Sequence, residues 1–161
     1  MNPKNFFLRA IVLSILLLLL YSSCTFPKVT VLEDPLTPEE HINLGVAYEK
    51  RGEIDSAIKE YKLAAKKHPL AYLYLGTAHF KKNEFDKAEK YFKKSITRTP
   101  DNADAYNNLA WLYYVKGINL IKAESLVLKA IELNPSKKDI YNDTLKKIRE
   151  LKKSARSQEQ G

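Results

Sequence analysis

The sequence predicts an all-α protein: three helix–turn–helix units side by side, followed by one closing helix. Three observations predict it. One pattern of large and small side chains occurs three times between His41 and Pro135, the apolar positions of each copy fall at helical spacing, and each copy ends at a proline, Pro69, Pro100 or Pro135. Within a copy the leading contacts sit at i, i+3, i+4 and i+7, which is one face of a helix, and the remaining contacts belong to a second helix facing it.

The first copy reads His41, Leu44-Gly45, Tyr48, Ala57, Tyr61, Ala64 and Pro69. The second reads Tyr72, Leu75-Gly76, His79, Ala88, Phe92, Ser95 and Pro100, and the third Tyr106, Leu109-Ala110, Tyr113, Ala123, Val127, Ala130 and Pro135. Gly45, Gly76 and Ala110 fall where a larger side chain would hold two helices apart, and Ala57, Ala88 and Ala123 offer the matching small surface. This pattern resembles the tetratricopeptide repeat, with His41, Tyr72 and Tyr106 where that family usually has Trp. The resemblance implies a right-handed superhelical stack of three units that binds protein partners.

Taken in order, the predicted helices are 38–51, 54–67, 70–82, 85–98, 103–116, 120–133 and 137–153. The units span about 38–69, 70–100 and 103–135 within a repeat region of 37–135. Thr37-Pro38-Glu39-Glu40 reads as a capping box with Pro at the first helical position, and Asp101 and Ser136 read as N-caps three residues ahead of Asp104 and Asp139. Gly45 to Gly76 is 31 residues and Gly76 to Ala110 is 34, so the first junction is shortened, between Pro69 and Gly76, by close to one helical turn. One residue is added between Gly117 and Ala123, which places the start of the next helix near Asn119 or Leu120. The last helix, over 136–153, carries Ile140, Leu145, Ile148 and Leu151 with no following partner and reads as a cap. Residues 154–161 hold too little apolar surface to fold and read as a disordered tail.

Ahead of the repeats, Lys4 and Arg9 precede an apolar run from Ala10 to Leu20, and Tyr21-Ser22-Ser23-Cys24 follows. Charged, apolar and small residues in that order form a secretory signal. Ending at Cys24, the segment resembles the bacterial lipoprotein signal, with Tyr21 where Leu is usual. The resemblance implies a signal peptide over 1–23, a diacylglyceryl group on the Cys24 sulfur, and a tether over 24–36 carrying Pro27 and Pro35. Thr25 after the cysteine implies, by the same resemblance, an outer-membrane lipoprotein facing the periplasm. Two alternatives stay open: an uncleaved inner-membrane anchor over residues 6–21, short of the roughly 20 apolar residues of a spanning helix, and an ordinary buried Cys24. As the chain has one Cys, an internal disulfide is excluded.

The formal net charge is +8, with lysines concentrated on the second helices and the closing helix. A solvated outer face accounts for them, and contact with an anionic surface is the sharper alternative; export argues against nucleic acid. His41, His68 and His79 are far apart in sequence, no Cys or carboxylate cluster has metal-ligand spacing, and no glycine-rich loop cradles a phosphate. The reading is therefore of a non-enzyme without cofactor or metal.

The resemblance further implies a concave face lined by first-helix positions: Ile42 and Val46, then Leu73, Thr77 and Phe80, then Asn107, Trp111 and Tyr114. Ile42 and Val46 stand where relatives that clamp a carboxylate carry polar or basic residues, which argues against that mode. Phe80, Trp111 and Tyr114 instead suit an apolar or aromatic segment, with Asn107 bonding its backbone. The alternative is that these side chains pack under the next repeat or the closing helix. The expected function is a lipid-anchored adaptor gripping a peptide or helix of a protein partner at the cell envelope, comparable to pilotins and assembly factors of pili, secretins or outer-membrane machines. A self-stacking structural subunit is the alternative.

Overall fold

Thr37 starts the first helix by reciprocal capping. Its Oγ1 accepts the Glu40 backbone N–H at 3.2 Å while Glu40 Oε2 accepts the Thr37 N–H at 2.7 Å, with Pro38 supplying the first helical residue. The Thr37 N–H holds the Glu40 carboxyl below its ordinary range. The computed structural model describes Leu13, Ser14 and residues 34–159, so Cys24 and the rest of the signal segment lie outside the described residues. From Pro38 onward it forms α1 (Pro38–Lys50), α2 (Ile54–Ala64), α3 (Ala71–Lys81), α4 (Phe85–Arg98), α5 (Ala103–Lys116), α6 (Leu120–Leu133), a 3-10 turn (Pro135–Lys137) and α7 (Lys138–Glu159). No strand occurs among the described residues.

Most helix ends fall within a residue of expectation, and the exceptions have local causes. The shortened first junction takes residues from both flanks: α2 stops at Ala64 and α3 starts at Ala71, with i to i+3 bonds such as Lys67 N–H to Ala64 O and Ala71 N–H to His68 O in between. Asn102, not Asp101, caps α5, its side chain accepting the Ala105 N–H at 3.2 Å. Ser136 is no cap either; it lies inside the 3-10 turn and donates to Asn134 Oδ1 at 2.6 Å. The helix predicted to end at 153 continues to Glu159, over residues expected to be disordered. Residues 154–158 are exposed there, so helix propensity of Ala, Arg and Gln carries the backbone without any core contact.

Each second helix lies on its own first helix and on the next: α2 on α1 and α3, α4 on α3 and α5, α6 on α5 and α7. The close approach inside a unit depends on the absent side chain at Gly45 and Gly76. A Cβ at Gly45 would stand within 3.0 Å of three ring atoms of Tyr61, and one at Gly76 within 3.0 Å of three ring atoms of Phe92. Both rings are almost fully buried, as are Ala57, Ala64 and Ala88. In the third unit Ala110 faces the smaller Val127, again with no exposure at either residue. Burying one such aromatic ring stabilises the fold by about 1.5–3 kcal/mol.

The closing helix is a fourth first helix. Tyr141, Thr144, Leu145 and Ile148 are its buried residues, at the spacing of Tyr106, Leu109, Ala110 and Tyr113 one unit earlier. Ile140, expected on the packed stripe, is 62% exposed because it precedes that register by one residue. Tyr141 is anchored to the previous first helix through its hydroxyl, which donates to Asp104 Oδ1 at 2.8 Å. Burial, then this bond, pushes the Tyr141 hydroxyl well above its ordinary pKa.

Units are also joined at their rims. Lys82 meets Asp55 at 2.5 Å and Lys116 meets Asp86 at 3.2 Å, the same rung one repeat apart, and Tyr113 donates to Glu89 at 3.0 Å. The expected core histidines are found as such: His41 and His79 are 4% and 5% exposed. His41 is held by Glu60 at 2.7 Å and Asp34 at 3.0 Å, and His79 stacks on Tyr91 and bonds Glu84 at 2.7 Å. The core clusters lie within the unit that begins at Asp34, so this part carries the interior needed to fold by itself.

Two predictions follow from this packing. Gly76→Ala should destabilise by about 1–3 kcal/mol and Gly76→Leu by more, while Lys90→Ala on the exposed face of α4 should change stability by less than about 0.5 kcal/mol, all read from denaturant melts. Bonds from Lys87 and then His79 lower the Glu84 pKa from 4.5 to about 2. A carboxyl lowered in the folded state stabilises above its ordinary pKa, so the Glu84 contribution is complete above 4.5 and is lost as pH falls towards about 2. Melting temperatures of Glu84→Gln and wild type measured across that interval should converge at the acid end.

Candidate functional site

Because first helices of successive units touch one another, α1, α3 and α5 form a continuous inner face. A cavity of about 460 Å³ lies across all three, lined by Val46, Glu49 and Lys50 of α1, Leu73, Tyr74, Thr77 and Lys81 of α3, and Asp104 and Asn108 of α5. Beside it a smaller cavity of about 190 Å³ is walled by Phe80, Phe92 and Trp111, with Thr77 and Asn108 supplying its polar atoms. Thr77 and Asn108 line both, so the two form one groove with a recess.

Apart from Lys50, the charges of the groove are paired. Glu49 forms an ion pair with Lys81 and accepts the buried Tyr61 hydroxyl at 2.7 Å. Burial and then the Glu49 bond raise the Tyr61 hydroxyl far above its ordinary pKa, so it stays a donor. Asp104 accepts from Lys137 at 2.7 Å as well as from Tyr141. Thr77 Oγ1 donates to Leu73 O at 3.1 Å, which leaves its lone pairs free to accept. What remains for a ligand is apolar surface, the Asn108 amide, the Thr77 oxygen and the exposed Lys50.

Of the positions expected on this face, Val46, Leu73, Thr77, Phe80 and Trp111 line the groove. Ile42 does not: it is 7% exposed and packs with Ala64 and Ala71, because the short first junction brings the start of α3 against it. Asn107 is turned inward, its Oδ1 buried without a hydrogen-bond partner among the described residues, and its neighbour Asn108 takes the groove position. Tyr114 is half-buried against the third-unit core, its ring 5.0 Å from that of Trp111. Trp111 is itself half-buried, with Lys147 of α7 lying 4.9 Å from its ring centre, so it belongs both to the recess and to the closing helix. Glu49, Lys50, Tyr74, Lys81, Asp104 and Asn108 were not anticipated. On α5 the helical phase offers a signal, since Asp104, Asn108 and Trp111 are spaced i, i+4, i+7.

No group of three or more potential metal-ligating side chains occurs among the described residues. Nor is any helix among them long and apolar enough to cross a membrane.

A stack of paired helices with a groove across its first helices defines a repeat scaffold. Residues 42–103 and residues 91–124 each match a tetratricopeptide-repeat family, together more than half of the chain, and the protein belongs to the tetratricopeptide-repeat family. Its fold is similar to the first such domain of Spaghetti (RPAP3) bound to the HSP90 peptide SRMEEVD, at 21% identity over 73% of this chain and 94% of that one, with a TM-score of 0.65. It is similar to the Sgt2 domain from Aspergillus fumigatus, at 18% identity over 74% and 82% of the two chains and a TM-score of 0.67. The TPR2B domain of yeast Sti1, in a pHsp70 complex, matches at 20% identity over 70% and 96% with a TM-score of 0.66. At these identities the likeness is one of fold. No curated protein matches the chain.

Proposed function

We propose that this protein is a non-enzymatic adaptor that holds an extended or helical segment of a partner protein in the groove formed by α1, α3 and α5. The observation that carries this reading is the recess between Phe80, Phe92 and Trp111, opening beside Thr77 and Asn108. An aliphatic or aromatic side chain fits such a recess, and the Thr77 oxygen and Asn108 amide then accept from and donate to the segment's backbone. One of the similar folds, that of Spaghetti (RPAP3), is bound to an HSP90 peptide, and that of Sti1 is in a complex with pHsp70, which supports a protein segment as the ligand here. A strongly acidic tail suits this groove poorly, since Lys81 is already matched by Glu49. The adaptor is held at the cell envelope by acyl chains on Cys24, as an outer-membrane lipoprotein facing the periplasm, where it serves assembly of an envelope machine. This part rests on the sequence from Lys4 to Thr25.

Peptides selected against the repeat unit from a random display library test the groove. Bound peptides should blue-shift Trp111 fluorescence and lose about tenfold or more in affinity to Asn108→Arg or Thr77→Arg, while Lys90→Ala binds as wild type. Equal binding by all variants would place the ligand elsewhere. For the anchor, metabolic labelling with a fatty acid should mark the wild-type chain and not Cys24→Ala; label retained by the variant rules acylation at Cys24 out.

A further inference from the structure

The turn inside the third unit is unlike its two counterparts. The first unit turns through Arg51-Gly52-Glu53 and the second through Lys82-Asn83-Glu84, whereas in register the third reads Lys116-Gly117-Ile118-Asn119 and contains the added residue. Each turn has one residue in left-handed backbone, Gly52, Asn83 and Gly117, and the third adds a second, Asn119 at a φ of 51°; Ile118 between Gly117 and Asn119 is 38% exposed. Ile121, at the start of α6, is 75% exposed.

The difference continues along the outward face of the second helices. Asp55 and Lys62 on α2, and Asp86 and Lys93 on α4, are replaced in register by Ile121 and Leu128 on α6. Seven residues apart, Ile121 and Leu128 share one helix face, and Leu128 is 46% exposed. Cations bracket these side chains: Lys116 and Lys122 stand on either side of the turn and Lys129 follows Leu128. Lys122 is exposed, while Lys116 and Lys129 sit in surface ion pairs with Asp86 and Glu132 that contribute little to stability.

We propose that this turn and the outward face of α6 are a membrane-interfacial contact, in which Ile118, Ile121 and Leu128 enter the headgroup–acyl boundary of an anionic bilayer and Lys116, Lys122 and Lys129 meet its phosphates. The shape favours lipid over a protein ligand. The apolar residues occupy a turn and an outward helix face, which suits a deformable surface, whereas the groove on the inner face suits a peptide. The charge favours it too, because a second copy of a chain with formal net charge +8 would bring like lysine rims together. The contact does not depend on acylation of Cys24.

Cosedimentation of the unit Asp34–Gly161, which lacks Cys24, with phosphatidylcholine vesicles containing or lacking one-third phosphatidylglycerol tests the contact directly. The wild-type unit should sediment with the anionic vesicles and be released by high salt. The double variant Ile118→Asn, Ile121→Asn should bind roughly tenfold less or weaker, with an unchanged melting temperature, and Lys62→Ala with Lys90→Ala should bind almost as wild type. The proposal is overturned if wild type does not sediment with anionic vesicles, or if the isoleucine variant binds equally well. A wild-type dimer that becomes monomeric on Ile121→Asn would also overturn it and assign the face to a second copy.

Discussion

The contact between a missing side chain on one helix and a buried ring on the next sets the geometry of this molecule. Gly45 against Tyr61 and Gly76 against Phe92 let two helices approach until ring and backbone touch, leaving no room for even a methyl group. Spacing within a unit follows from that approach. The position of the next first helix follows in turn, because α2 and α4 each carry one on their other side. The groove is a consequence: Phe92, whose ring closes the second unit over Gly76, also forms a wall of the recess beside Trp111. One ring therefore couples stability to the shape of the binding face.

Much of this was legible in the residues because the pattern demands both members of each contact. Small residues recur at Gly45, Gly76 and Ala110 and their partners at Tyr61, Phe92 and Val127, and the decline in partner size accompanies the gain of a methyl group at Ala110. The N-terminal cap at Thr37 was legible for the same reason, since Thr37 and Glu40 serve each other. What could not be read was set by rotation of one helix by a fraction of a turn. Asn107 and Asn108 are chemically identical neighbours, and only the phase of α5 against α3 decides which of them faces the groove. Ile42 was lost to the core by the shortened junction, a length change whose direction of collapse is a tertiary outcome. The closing helix was recognised as apolar on one side, but Ile140 is a stronger hydrophobe than Thr144 and drew the stripe one residue out of register.

The two faces of the stack divide labour by charge. On the inner face carboxylates and ammonium groups neutralise one another across helices, Glu49 with Lys81 and Asp104 with Lys137, so an incoming segment meets mostly matched charge. On the second helices, lysines such as Lys59, Lys62 and Lys90 stand exposed to solvent. A protein of this kind can hold a ligand on one side while its other side deals with a different phase, without either contact competing for the same residues.

The register of α7 has a consequence for how such an array could be lengthened. Where the first three units place Gly45, Gly76 and Ala110, α7 places Leu145. A second helix set behind α7 at the spacing of the first two units would meet an isobutyl group where those helices meet bare backbone. New units can therefore be inserted ahead of α7 by copying an existing helix pair, whereas growth beyond it requires first trimming residue 145. The side chain that completes the fourth register is also the one that makes α7 a poor template for another pair.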